Sequence, residues 1–229
     1  MSDALHVISS MATRALLADL AAAWQVHSAP ALNVESVGGV DAARRVQAGE
    51  AFDLVVLAAN AIDTLEQAGH VLRGSRVDLV HSGVAVAVQA GAAAPDIGSE
   101  DALRQAVLAA RTVGYSTGPS GVALVKLFER WGIAASLKGR LVQAPAGVPV
   151  GQLVARGEVE LGFQQLSELM HLDGIRVIGP LPAAVQITTT FSGAVASTCR
   201  QPDAARAALA FMAGLEQAAL KRRHGMEAA

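Results

Sequence analysis

Short apolar runs alternate with Ala- and Leu-rich stretches of helical spacing along most of the chain, and that alternation is what most limits its fold. Residues 5–9 (LHVIS) precede a helix expected over 11–24, and 32–37 precede one over 40–49. The run DLVVLA at 53–58 precedes a helix over 60–69, in which Ile62, Leu65 and Ala68 recur at helical spacing and Gly69 supplies the stop. Strands that alternate with helices pair in parallel, and a strand apolar on both faces needs helices on both sides. The expected class is α/β, with mostly parallel sheets covered on both faces.

The alternation breaks at 78–89, a long strand-like stretch with Ser82 and Gly83 in its middle. A second alternating set follows: a helix over 99–110, a strand ending in Gly114-Tyr115, a helix over 122–131 ended by Gly132, a strand over 140–143 and a helix over 149–156. Then come a strand over 159–163, a helical piece to Met170, a strand over 175–179, a strand-like stretch over 185–199 and a final helix over 202–220. Two extended stretches, 80–88 and 182–190, therefore flank the middle third. This predicts one lobe from residues 1–81 and 188–229, and a second lobe from 82–187 inserted into it, with the ligand expected in the cleft between them.

In open parallel sheets ligands sit beyond the carboxyl ends of strands. There the segment Val113-Gly114-Tyr115-Ser116-Thr117-Gly118-Pro119-Ser120-Gly121 passes from strand to helix through small and hydroxylated residues, and Ser9-Ser10 does the same near the amino end. A helix start presents unpaired N–H groups and a partial positive charge, so each loop can cradle an anion, although capping alone explains either one singly. The candidate ligand contacts are Ser9, Ser10, Gly38, Gly39, Ala59, Asn60, Thr117, Gly118, Ser120, Gly121, Gln164 and Gln165. Ser10, Thr117 and Ser120 lead this set, and Gly39 has the plainer reading of an unusual dihedral before a helix. The adjacent glutamines point to opposite sides if both lie in a strand, which leaves one of them at the surface. Arg14, one turn into the first helix, reads as solvated.

Composition removes several other functions. A net charge of −2 and a single Tyr beside five Phe offer neither a basic field nor stacking platforms for nucleic acid. Mean hydropathy is positive, yet no apolar run approaches the ~20 residues of a membrane span. Six scattered histidines show no metal-ligand spacing, so neither a metal nor a cofactor is expected. Nucleotide-binding glycine motifs and a nucleophile elbow are likewise missing. The lone Cys199 reads as a small strand residue, and Lys221-Arg222-Arg223-His224 as a solvated tail. No export signal is read at the amino end, so the expectation is a cytoplasmic chain, periplasmic only if a leader has been removed. A monomer or weak homodimer is expected.

Four segments carry a resemblance: VQAGEAFDLVVLAAN at 46–60, GYSTGPSG at 114–121, ARGEVELGFQQLSEL at 155–169 and GPLPAAVQITTTFSGAV at 179–195. Together they resemble the molybdate-binding-protein-like branch of the type II periplasmic solute-binding proteins, which also includes aconitate isomerase-like proteins. The resemblance implies two α/β lobes joined by two crossover strands, with an oxyanion held by loops after the strands. It places the family's first-loop serine on Ser9 or Ser10, its second-loop contact near Gly39 and its inserted-lobe contacts at 117–121. Gly38-Gly39 stands where molybdate binders commonly offer a hydroxyl, and GPSG replaces their usual loop, which points away from molybdate. The expected function is therefore the holding of a small oxyanion or organic carboxylate. The alternative is an isomerase that moves an allylic proton on a di- or tricarboxylate, with Tyr115 or a neutral histidine as its base.

Overall fold

A computed structural model of the protein describes residues 4–27 and 30–229. The chain divides into two compact units: the first runs through Ser82 and resumes at Thr189, and the second is Gly83–Thr188.

In the first unit, β1 (Leu5–Ser10), β2 (Leu32–Val37) and β3 (Leu54–Ala58) are parallel neighbours in the order β2-β1-β3. The sheet continues through β9 (Thr188–Val195), antiparallel to β3, to β4 (Val77–Gln89) and then β10 (Met226–Ala228), antiparallel to β4. The sheet is thus mixed, because β9 returns late in the chain, antiparallel, between two strands already laid down.

Its two faces are packed as continuous apolar runs require. On one side α1 (Arg14–His27) and α8 (Pro202–Ala213) bring Leu16, Leu17, Leu20, Ala208, Leu209 and Met212 against Leu5, Val7, Leu54 and Val56. On the other, α2 (Gly39–Gln47) and α3 (Ala59–Gln67) pack Ala42, Val46, Ile62 and Leu65 against Ile8, Val55 and Leu57. Burying such side chains is worth roughly 1.5–3 kcal/mol each.

The second unit contains β5 (Val113–Tyr115), β6 (Leu141–Gln143) and β7 (Leu161–Gln165) as parallel neighbours in the order β7-β5-β6. The later half of β4 and then β8 (Ile175–Pro180) add antiparallel strands beyond β7. Helices α4 (Glu100–Ala109) and α5 (Pro119–Arg130) cover one face around Phe128 and Phe163. Helix α6 (Val150–Ala155) packs on the other, and α7 (Leu166–Leu169) follows β7 directly. Gly162 lets α6 approach: a Cβ there would drive into Val154.

Several expectations are corrected. The helix expected over 202–220 breaks at Gly214, whose extended dihedrals (φ −50°, ψ 143°) lead through a 3-10 turn into α9 (Ala218–Arg223). The basic cluster is not a solvated tail. Lys221 is fully buried, with its Nζ donating to the Ala213 carbonyl at 3.1 Å, and His224 Nε2 lies 2.9 Å from Asp19 Oδ2. The Lys221 ammonium satisfies a carbonyl at the end of α8, where cations are favoured. Cys199 lies beyond β9 in a turn, because β9 ends four residues earlier than the sequence pattern suggests. Strand β10 has no counterpart among the expected elements, three residues being too short a pattern. Among the described residues no helix is long and apolar enough to cross a membrane.

Candidate functional site

The parallel strands of the first unit end in step, since Ser10 pairs with Val37 and Ser9 with both Ser36 and Val56. Ser9 is consumed by the sheet. Its hydroxyl lies 2.7 Å from that of Ser36, and the side chain is fully buried. Ser10 differs, because its Oγ is buried, at 7% residue exposure, and no protein atom bonds it. An unpaired buried hydroxyl is costly, and a ligand oxygen at this strand's carboxyl end would satisfy it.

Around Ser10 lie two helix starts without capping side chains. Gly38 precedes α2 and Ala58 precedes α3, and neither offers a side-chain oxygen to the first-turn N–H groups. By contrast, Ser99 caps α4 by accepting from Ala102 N–H at 3.1 Å. Neither Gly38 nor Gly39 has a positive φ, so unusual dihedrals do not explain them. A Cβ on Gly39 would meet Ser10 Cβ at 3.6 Å, an ordinary van der Waals contact, so this glycine leaves space beside Ser10 rather than relieving a clash. Ala59 is half-buried at the start of α3, and Asn60 is exposed with its carbonyl accepting from Thr64. Arg14 is exposed, as expected.

In the second unit the loop after β5 holds Ser116 and Ser120 with their hydroxyls 3.4 Å apart, while Thr117 is exposed. Gly118 caps α5 with no side chain, Pro119 opens the helix, and Ser120 is 7% exposed. Tyr115 is half-buried and packs on the apolar cluster around Phe128, which makes it a packing residue.

Gln164 and Gln165 are both buried, so neither is the surface residue expected from strand alternation. β7 runs straight into α7, and helix and sheet cover both sides. Gln164 ties two helices to the strand. Its Oε1 accepts from Gly151 N–H at 3.2 Å, at the start of α6, and its Nε2 donates to Glu168 Oε1 at 2.8 Å. Burial pushes the Glu168 carboxyl up to about 7, against the opposing effect of the Gln164 bond. Nothing in the sequence pattern singles out Glu168.

The pattern does not single out His81 either. It is exposed on β4, and its Nδ1 lies 3.0 Å from Thr190 Oγ1 on β9. Among the described residues, no three His, Cys, Asp or Glu side chains are placed to hold a metal.

Residues 5–227 match the family of bacterial extracellular solute-binding proteins. The chain belongs to that family. One relative of this solute-binding protein, an aconitate isomerase from a Pseudomonas species, is 39% identical over 220 residues, covering 93% of this chain and 84% of its own. Among solved structures, the periplasmic molybdate-binding protein of Azotobacter vinelandii superposes with a TM-score of 0.79 at 19% identity, covering 97% and 98% of the two chains. The sulfate-binding protein of Mycobacterium tuberculosis gives 0.76 at 14% identity, covering 98% and 86%. These two likenesses establish a shared fold: the periplasmic-binding-protein architecture in which α/β lobes carry their loops at strand ends.

Proposed function

We propose that this solute-binding protein recognises a small organic polycarboxylate through its uncapped helix starts and turns it over as an aconitate isomerase. The observation that carries this reading is the 39% identity to an aconitate isomerase across 93% of the chain, sustained from one unit into the other and back. The geometry supports it. Unpaired N–H groups of α2 and α3 with the Ser10 hydroxyl suit a carboxylate, and the same dipoles stabilise negative charge that develops when a proton leaves carbon. Cis- and trans-aconitate interconvert when the methylene loses a proton and the former vinylic carbon gains one.

A second reading, binding without turnover, is favoured by the loops themselves, which are rich in Ser, Thr and Gly and poor in titratable groups. One experiment separates the two. Purified protein is incubated with cis- or trans-aconitate in deuterated water and followed by proton NMR, with a parallel calorimetric titration. Interconversion with deuterium uptake at carbon is the expected result. Binding without either outcome leaves a carboxylate-binding protein, and neither binding nor conversion overturns both readings.

A further inference from the structure

Among the described residues, the first unit has one histidine at the strand edge where the anion-binding groups gather. His6 lies at the start of β1, His27 ends α1, His70 lies beyond α3 on the return to β4, and His224 is engaged with Asp19. His81 sits instead on β4 just before the chain leaves this unit at Ser82. Strands β4 and β9 are antiparallel, because Asp78 meets Ser192 and His81 meets Thr190. Since β9 is also antiparallel to β3, β4 runs with β3, and His81 approaches the edge that carries Ala58 and Ser10.

Spacing then selects the ligand. With neighbouring strands about 4.8 Å apart, β4 lies roughly 10 Å from β3 and roughly 14 Å from β1. A tetrahedral oxyanion seated on Ser10 is too small to meet the His81 ring. A tricarboxylate is longer and can extend from the Ser10 end of the sheet toward the His81 ring.

Histidine takes up and returns a proton at neutral pH, and the tautomer it uses is fixed by the partner of its other nitrogen. Thr190 Oγ1, 3.0 Å from Nδ1, can accept from Nδ1–H, and in that tautomer Nε2 bears the lone pair. Two carboxylates are its neighbours. Asp78 is held below its ordinary range chiefly by the Ser192 hydroxyl, with Arg76 adding to it, and Glu227 on β10 stands directly across from His81.

We propose that His81 is the proton carrier of the isomerisation and Thr190 its positioning residue. Nε2 takes the proton from the substrate methylene as that C–H bond breaks. The electron pair spreads through the double bond and the adjacent carboxylate, and the proton is delivered to the former vinylic carbon. No oxidant, reductant or co-reactant is consumed. This inference rests on the isomerase reading above.

The test compares wild type with His81→Gln, His81→Asn, Thr190→Val and Thr190→Ser, measuring aconitate interconversion, deuterium uptake, the pH profile of kcat and calorimetric Kd. His81 is exposed, so its variants keep the fold, which thermal melting checks directly. Both His81 variants are expected to lose at least about 100-fold in kcat, with Kd changed less than about threefold. Thr190→Val is expected to lower kcat about tenfold and move its pH profile, and Thr190→Ser to restore both. If wild type interconverts aconitate and the His81 variants retain kcat, this inference fails while the isomerase reading stands. If the His81 variants lose binding along with turnover, His81 is a carboxylate ligand and the proton-carrier role is overturned. An inactive wild type removes the isomerase reading and this inference with it.

Discussion

Gly121 and Ser116 are held together by the absence of a side chain: a Cβ on Gly121 would drive into the Ser116 carbonyl oxygen and come within 3.2 Å of Tyr115 Cδ2. The loop after β5 can fold back on the first turn of α5 only because of that gap. Gly121→Ala is therefore expected to open the loop and to cost roughly 1–3 kcal/mol, although alanine is the better helix former. Chemical denaturation of the variant reads the loss, and unchanged stability would show that the loop relaxes freely.

Ser10→Ala separates the two consequences of an unpaired hydroxyl. Without ligand, removing a buried unsatisfied group is expected to leave stability unchanged or slightly raised. With ligand, losing one hydrogen bond to a carboxylate is expected to weaken Kd by about 10- to 100-fold, equivalent to 1.5–3 kcal/mol. Thermal melts with and without aconitate measure both. A large loss of stability in the unliganded protein would make Ser10 a structural residue.

Glu168 makes stability depend on pH in the opposite direction from an ordinary ion-paired carboxylate. Its folded value, about 7, exceeds the 4.5 of a free glutamate, so the folded state holds the proton more tightly than the unfolded chain. Its contribution is greatest below about pH 4.5, falls as pH rises through 5 and 6, and levels off above about pH 7. Glu168→Gln mimics the protonated group and is expected to gain roughly 1–3 kcal/mol over wild type at pH 8 and almost nothing at pH 4.5. Parallel denaturation curves at the two pH values check it; a gain that does not change with pH would refute the assignment.

Gly193 sits on β9 beneath α8, where an added Cβ would collide with Leu209. Gly193→Ala should cost about 1–3 kcal/mol through overpacking, and pairing it with Leu209→Val should recover part of that cost. Additive losses in the double variant would mean that the helix simply shifts.

The α/β class and most elements are legible in the sequence because each rests on local pattern. The Ile62 and Leu65 stripe, the run at 54–58 and the stop at Gly69, whose φ is +78°, all follow from spacing or from one residue's dihedral freedom. Ser10 is legible as a candidate for the same reason, but its distinction from Ser9 is not. That depends on Ser36, 27 residues away, which engages one hydroxyl and leaves the other alone. Glu168 and His81 are hidden for a related reason. Burial raises one, and the other is held by Thr190, 109 residues away, so neither environment shows in the local pattern. The buried Lys221 escapes a reading by composition because a basic run is ordinarily hydrated, and only the end of α8 above it supplies the carbonyl that makes burial tolerable.

The placement of β9 has a consequence for how the polypeptide is made. Translation delivers β1 to β3 early, yet the strand that completes the gap between β3 and β4 emerges only after the whole of Gly83–Thr188 has been synthesised. Until then the edge of β3 stands open, with Leu54–Ala58 waiting for Phe191–Val195. The inserted unit has all its own strands in one uninterrupted stretch and is free to fold first on the ribosome, whereas the unit bearing Ser10 and His81 closes only as the last forty or so residues clear the exit tunnel. A chain truncated after residue 188 and released from the ribosome should therefore present a protease-resistant middle segment and a cleavable amino-terminal one.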